Sequence, residues 1–146
     1  MIRVTIDTTT LVSGFLRPEP PPGRLLVAWR QRLFTLVTAA PLLDEVGRTF
    51  RNPYFARRLS PAEAQDNLAL LRSEAVIVAT TVMIAGVATH PEDDVMLATA
   101  LSGEAQFVVT SDHGLLRLGS YRELVIVSAA QFLAMLPGLV QADEPS

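Results

Sequence analysis

Helix-type segments alternating with short apolar strands predict an α/β domain. It should be three layers deep, a parallel five-stranded sheet with helices on both faces. Three observations carry this. The strand-type segments are short, apolar and mostly β-branched, as in sheets buried on both sides. Two helix starts carry a capping box, Ser60-Pro61-Ala62-Glu63 and Ser128-Ala129-Ala130-Gln131. And two strands end directly in an acid, Asp7 after the first and Asp112 after the fourth. In open parallel sheets that carboxyl edge holds the ligand, at the point where the strand order switches.

The elements follow in order. Ile2 to Ile6 alternates apolar and polar and enters Asp7, the first strand. After Thr8-Thr9-Thr10, a helix starts at about Leu11 and is broken by the Pro18–Pro22 loop. A helix over Arg24 to Leu33 turns Leu25, Leu26, Trp29 and Leu33 inward, and Phe34 to Thr38 is the second strand. Pro41 suits the first turn of a helix over Leu42–Arg51, which ends before Asn52-Pro53. The helix Ala62–Arg72 leads to a third strand at Ala75–Ala79, and Thr80–Thr89 reads as loop. Asp93 reads as the N-cap of the next helix and Asp94 as a first-turn acid favoured by the helix dipole. Asp94 heads the apolar stripe Leu97, Ala98 and Leu101, so it should point inward. Ala105–Thr110 is the fourth strand, His113–Leu118 a short turn or helix, and Leu124–Val127 the fifth strand. A final helix runs through Met135 and stops at Pro137-Gly138, leaving one domain over 1–138 and a disordered tail over 139–146.

With 146 residues the chain suits one domain with a full core. No apolar run reaches membrane-spanning length, the N-terminus reads as a strand and not a signal peptide, and there is no cysteine. The expectation is a cytoplasmic protein without disulfides or thiolate metal sites. All 12 basic residues are arginine, which removes the P-loop lysine and Schiff-base chemistry. A net charge of −3 argues weakly against nucleic acid as a partner and does not exclude it.

Four carboxylates should reach the carboxyl edge: Asp7, Glu45, Asp94 and Asp112. Each alone has an ordinary reading as a turn, cap or surface residue; together they are harder to dismiss. Clustered like charges raise one another's pKa unless a cation shares the site. Oxygen ligands without cysteine select Mg²⁺ or Mn²⁺, which activate water and offset phosphoryl charge.

Four segments in this order resemble the PIN-domain family: Ile6–Gly14 (IDTTTLVSG), Leu42–Pro53 (LLDEVGRTFRNP), His90–Ala98 (HPEDDVMLA) and Val108–Asp112 (VVTSD). They look closest to its VapC-like branch, the toxin components of toxin–antitoxin pairs. The resemblance runs from Ile2 to about Leu136 and implies the strand order 3-2-1-4-5. It implies metal-dependent cleavage of single-stranded RNA by Asp7, Glu45, Asp94 and Asp112, with Asp7, Asp94 and Asp112 on Mg²⁺ or Mn²⁺. Thr9, Ser13, Asp93 and Thr110 would support them. A homodimer and a cognate antitoxin that blocks the site are also implied.

Two positions depart from the family pattern. Thr9 stands where the family usually has Asn, and Gly114 where it often has a further Asp. They favour the alternative, a catalytically weak PIN-like module that binds RNA or a protein partner. A haloacid-dehalogenase-like phosphatase and a response-regulator receiver both require a lysine that this chain lacks. Arg48, Arg51, Arg57 and Arg58 follow Glu45 closely and are candidates for holding an RNA backbone, or a solvated surface.

Overall fold

The structure is a computed structural model and describes residues 1–143. Its elements are β1 (Arg3–Ile6), α1 (Thr8–Gly14), α2 (Pro21–Arg30), β2 (Thr35–Thr38), α3 (Ala40–Phe50), α4 (Pro53–Ala56) and α5 (Pro61–Glu74). There follow β3 (Val76–Ile77), α6 (Pro91–Ser102), β4 (Phe107–Val109), α7 (His113–Leu118), β5 (Ser120–Tyr121), β6 (Leu124–Val127) and α8 (Ala129–Asp143). The sheet order is β3-β2-β1-β4-β6-β5, parallel except for β5. Its five parallel strands reproduce the expected order 3-2-1-4-5.

Strand alternation builds two cores. Val4 and Ile6 of β1, Phe107 and Val109 of β4 and Val127 of β6 face Leu25, Trp29, Phe34 and Phe132 on one side. Val108, Leu124 and Ile126 face Met96, Leu97, Ala100 and Leu115 on the other. The sheet is therefore covered twice, which is the three-layer arrangement. The direction of connection reverses at β1. The chain goes by α1 and α2 to β2 on one side, and returns by α6 to β4 on the other.

Several expected boundaries shift, each for a local reason. The sheet has a sixth strand: β5 pairs antiparallel with β6, Tyr121 opposite Leu124. The intervening turn places Arg122 at φ 53°, a left-handed conformation in a residue that gives no turn signal. The third strand shortens to Val76–Ile77, because it is the sheet edge and pairs only with β2. Helix α1 starts three residues early, at Thr8, because the Asp7 carboxylate caps it through the Thr10 N–H. Helix α2 starts within the proline run, with proline in its first turn. A four-residue helix, α4, stands just after Asn52, which caps it.

The largest correction is at the end. Helix α8 does not stop at Pro137-Gly138 but continues to Asp143. Leu136 is buried, and Leu133, Leu139 and Val140 pack against the larger core. That burial offsets the roughly 3 kcal/mol that a proline costs inside a helix. Of the expected tail, 139–143 is helical, and 144–146 lies outside the described residues. Both capping boxes form, Ser60 with Glu63 and Ser128 with Gln131. Among the described residues no helix is long and apolar enough to cross a membrane.

Candidate active site

The carboxyl ends of β1 and β4 lie side by side, in register from Val4–Phe107 to Ile6–Val109. Asp7 leaves β1 there, nearly buried at 9% exposure. Its Oδ1 accepts from the Thr10 N–H at 2.8 Å. Its Oδ2 accepts from the Thr110 hydroxyl at 2.7 Å and the Ser111 N–H at 3.0 Å. Three donors fix the direction of the carboxylate.

Thr110 joins the two strand-end acids. While its Oγ1 donates to Asp7, it accepts the backbone N–H of Asp112 at 3.1 Å. Asp112 in turn caps α7, its Oδ2 accepting from the Leu115 N–H at 2.8 Å. The hydroxyl is buried, so removing it would leave Asp112 N–H without this acceptor and Asp7 without its shortest bond.

Glu45 enters from the second turn of α3, half-buried. Burial raises its pKa first and Glu92 second, with a smaller rise from Asp7; Arg48 and the Thr8 side chain oppose this. Asp93 is raised more, from 3.8 to about 6. Burial is again the main cause, followed by the charges of Asp112, Asp7 and Glu45, which His90 partly offsets. The acids linked by these charges are therefore Asp7, Glu45, Asp93 and Asp112, with Glu92 acting on Glu45.

Asp94 stands apart from them. Its carboxylate is 6% exposed and faces the preceding loop. Oδ1 accepts from the Ala88 N–H at 2.7 Å and Oδ2 from the Gly86 N–H at 3.0 Å. The reason lies in helix geometry, since successive side chains are about 100° apart. Asp94 does follow the apolar stripe inward as expected, and inward is where the loop backbone needs an acceptor. Asp93, one step round the helix, is near enough to Asp112 and Asp7 for their charges to raise its pKa. Nor is Asp93 the N-cap, a position taken by His90.

The supporting residues divide similarly. Thr110 holds the site together as described. Thr9 is exposed in the first turn of α1, while buried Thr8 is the threonine beside Glu45. Ser13 is half-buried, near the far end of α1. At Gly114, an added Cβ would come within 3.1 Å of Asp112 Oδ2 and 3.5 Å of Thr89 Oγ1. Of the four arginines, Arg48 acts on Glu45, whereas the Arg58 guanidinium lies over the Tyr54 ring at 3.7 Å. Arg51 and Arg57 are exposed. Sequence reasoning did not single out Thr8 or Ser111, which the structure places beside Glu45 and Asp7.

Every ionisable group in the acidic set is a carboxylate, a donor chemistry that fits a hard divalent cation. Burial first, and then the neighbouring carboxylates, raise the pKa of Asp93. Among the described residues, however, no three Asp, Glu or His side chains stand together as a ready ligand set.

A family model described as the PIN domain matches residues 3–114, about three-quarters of the chain and all four facing acids. No curated protein and no solved structure gives a match.

Proposed function

Because the chain belongs to the PIN-domain family, a nuclease-type fold, we propose that it is a divalent-metal-dependent endoribonuclease that cleaves single-stranded RNA. The observation that supports this reading is that Asp7 and Asp112 follow the adjacent strands β1 and β4, with Glu45 and Asp93 near enough to feel charge from that edge. Asp7, Asp93 and Asp112 would hold the metal ion, with Glu45 beside them and Asp94 in a supporting place. When bound, Mg²⁺ or Mn²⁺ would lower the pKa of a water and offset charge on the phosphate. The chain's own part is to aim the carboxylates. The Thr10 and Ser111 N–H groups and the Thr110 hydroxyl fix Asp7, and α7 fixes Asp112. Arg48 offsets part of the repulsion an RNA backbone would meet near Glu45.

The resemblance to the VapC-like branch supports a finer reading: the toxin of a toxin–antitoxin pair, a homodimer in the cytoplasm, blocked by a cognate antitoxin. A second reading, a weakly catalytic module that binds RNA or protein, is favoured by exposed Thr9 and by Gly114. One assay separates the two. Purified protein is incubated with single-stranded RNA and Mg²⁺ or Mn²⁺, with EDTA and Asp7→Asn controls. Cleavage that EDTA and Asp7→Asn both abolish is the expected result; intact RNA under both metals favours the binding module.

A further inference from the structure

Helices α1 and α3 both begin at the acidic edge, α1 just after Asp7 and α3 two turns before its Arg48. Their far ends are held together by Phe15 and Phe50, whose ring centroids are 6.0 Å apart. Beyond those ends opens a cavity of about 450 Å³, lined by Ser13, Leu16, Arg17, Pro22, Tyr54 and Arg58 among others. None of the acids lines it.

The walls are built firmly. Gly23 packs so closely on the α1–α2 connection that an added Cβ would lie 1.9 Å from the Arg17 carbonyl oxygen. A Cβ at Gly14 would lie 2.7 Å from the Pro22 carbonyl oxygen. Glycine at these two positions therefore lets Arg17 and Pro22 sit where they form one side of the cavity. On the other side Tyr54 is 52% exposed. The Arg58 guanidinium stacks on that ring at 3.7 Å and donates from Nη1 to the Tyr54 carbonyl at 2.7 Å. The pair forms a fixed planar cation on an aromatic base.

An aromatic ring and an arginine plane are the surfaces on which unpaired nucleobases stack, and arginine also meets phosphate. The path from the acids is also suitable. Thr9 and Ser13 are four residues apart on one face of α1, and Ser13 itself lines the cavity. Ser13 lies about 9 Å along the helix axis from Asp7. We infer that this cavity holds a base of the single-stranded RNA flanking the scissile phosphate, stacked on the Tyr54–Arg58 pair, with Arg17 on the adjoining phosphate. The inference rests on the RNA-cleaving reading and adds to it a subsite remote from the metal.

Two experiments test it so that the subsite and the nuclease can fail separately. The first titrates adenosine monophosphate, with ribose 5-phosphate as control, into isotopically labelled protein and follows amide resonances by NMR. Adenosine monophosphate should shift Ser13, Arg17, Tyr54 and Arg58, and ribose 5-phosphate should shift them less. The second measures binding of a fluorescent RNA oligonucleotide to the Asp7→Asn protein, with and without Tyr54→Ala. Loss of one stacked base should weaken binding roughly fivefold to a hundredfold. An oligonucleotide carrying one abasic site at the matching position should show the same loss, and Tyr54→Ala should weaken it no further. Arg58→Lys, which keeps the charge but not the plane, should behave like Tyr54→Ala. Pocket shifts with adenosine monophosphate but no RNA cleavage would keep the subsite and sink the nuclease. Metal-dependent cleavage with a silent pocket and full-strength binding by Tyr54→Ala would keep the nuclease and overturn the subsite.

Discussion

Asp7 and Asp93 stand in the same acidic set, yet the protein treats them oppositely. Asp7 sits at a strand end with three hydrogen-bond donors on its oxygens, two of them backbone N–H groups. Asp93 sits in the first turn of α6, where burial and three neighbouring carboxylates push its pKa up to about 6. The helix dipole at that position favours the anion but is outweighed. The β1–β4 edge is thus pre-organised by the fold, while the α6 side carries charge that the fold leaves for something else to balance. A divalent cation would do so, and each prediction below tries to break that contrast or sharpen it.

The largest effect should come from separating the two adjacent acids of α6. Asp93→Asn should lower metal-dependent RNA cleavage by a hundredfold or more, on the order expected for a lost metal ligand, while leaving the melting temperature equal or higher at neutral pH. Asp94→Ala should do the reverse to stability. It strips the acceptor from the Gly86 and Ala88 N–H groups, a loss of about 2–5 kcal/mol for two charge-assisted bonds. Parallel activity assays and denaturant titrations check both. Equal losses of stability in the two variants would erase the distinction between them.

Why this distinction was hidden in the sequence is a matter of one helical step. The apolar stripe Leu97, Ala98 and Leu101 correctly turned Asp94 inward, but burial can mean a ligand site or a loop needing acceptors. Nothing in residues 80–90 reveals that the Gly86 and Ala88 amides would claim the carboxylate. By contrast, Asp7 and Asp112 were legible because each follows a β-branched run that can only be a strand. The parallel sheet was legible for the same reason, and the capping boxes at Ser60 and Ser128 marked two helices correctly. What escaped was set by tertiary packing. Helix α8 crosses Pro137 because Leu139 and Val140 find apolar partners, and the β5–β6 turn forms around an arginine instead of a glycine.

Next in size is Thr110→Val, which keeps the shape and removes the hydroxyl shared by Asp7 and Asp112. Metal affinity should fall about tenfold to a hundredfold, as for other groups that orient ligands. Stability should fall by about 1 kcal/mol, because the part-buried Asp112 N–H loses this acceptor. Manganese titration and thermal melts would report the two effects, and an unchanged affinity would remove Thr110 from the site.

The pH dependence should be smaller but distinctive in sign. Asp93 titrates near 3.8 when unfolded and at about 6 when folded, so the native state holds its proton more tightly. Its stabilising contribution is present below about 3.8 and is lost as pH rises through about 6. Metal-free protein should therefore lose stability across that window, with Glu45 acting in the same direction. Asp93→Asn should flatten the fall. Added Mn²⁺ should stabilise above pH 6 and have little effect below pH 5, where protons compete for Asp93. Melts across pH with and without metal measure this; a metal effect independent of pH would contradict it.

The smallest effects should come from restoring the family residues. Thr9→Asn adds an amide at an exposed position in the first turn of α1 and should raise cleavage by no more than about tenfold, the low end for a group that orients ligands. Gly114→Asp should gain less, because its Cβ would crowd Asp112 Oδ2 at 3.1 Å and force that carboxylate to move. A double-mutant cycle in the cleavage assay separates the contributions, which neighbouring sites rarely make additively.

Isothermal titration of Mn²⁺ into the wild type, Asp93→Asn and Asp94→Asn at pH 7.5 tests the central assignment most directly. Asp94→Asn keeps a carbonyl acceptor for the loop and should bind Mn²⁺ nearly as the wild type does, while Asp93→Asn should lose at least tenfold in affinity. Wild-type affinity in Asp93→Asn together with loss in Asp94→Asn would return the metal to Asp94 and contradict this account.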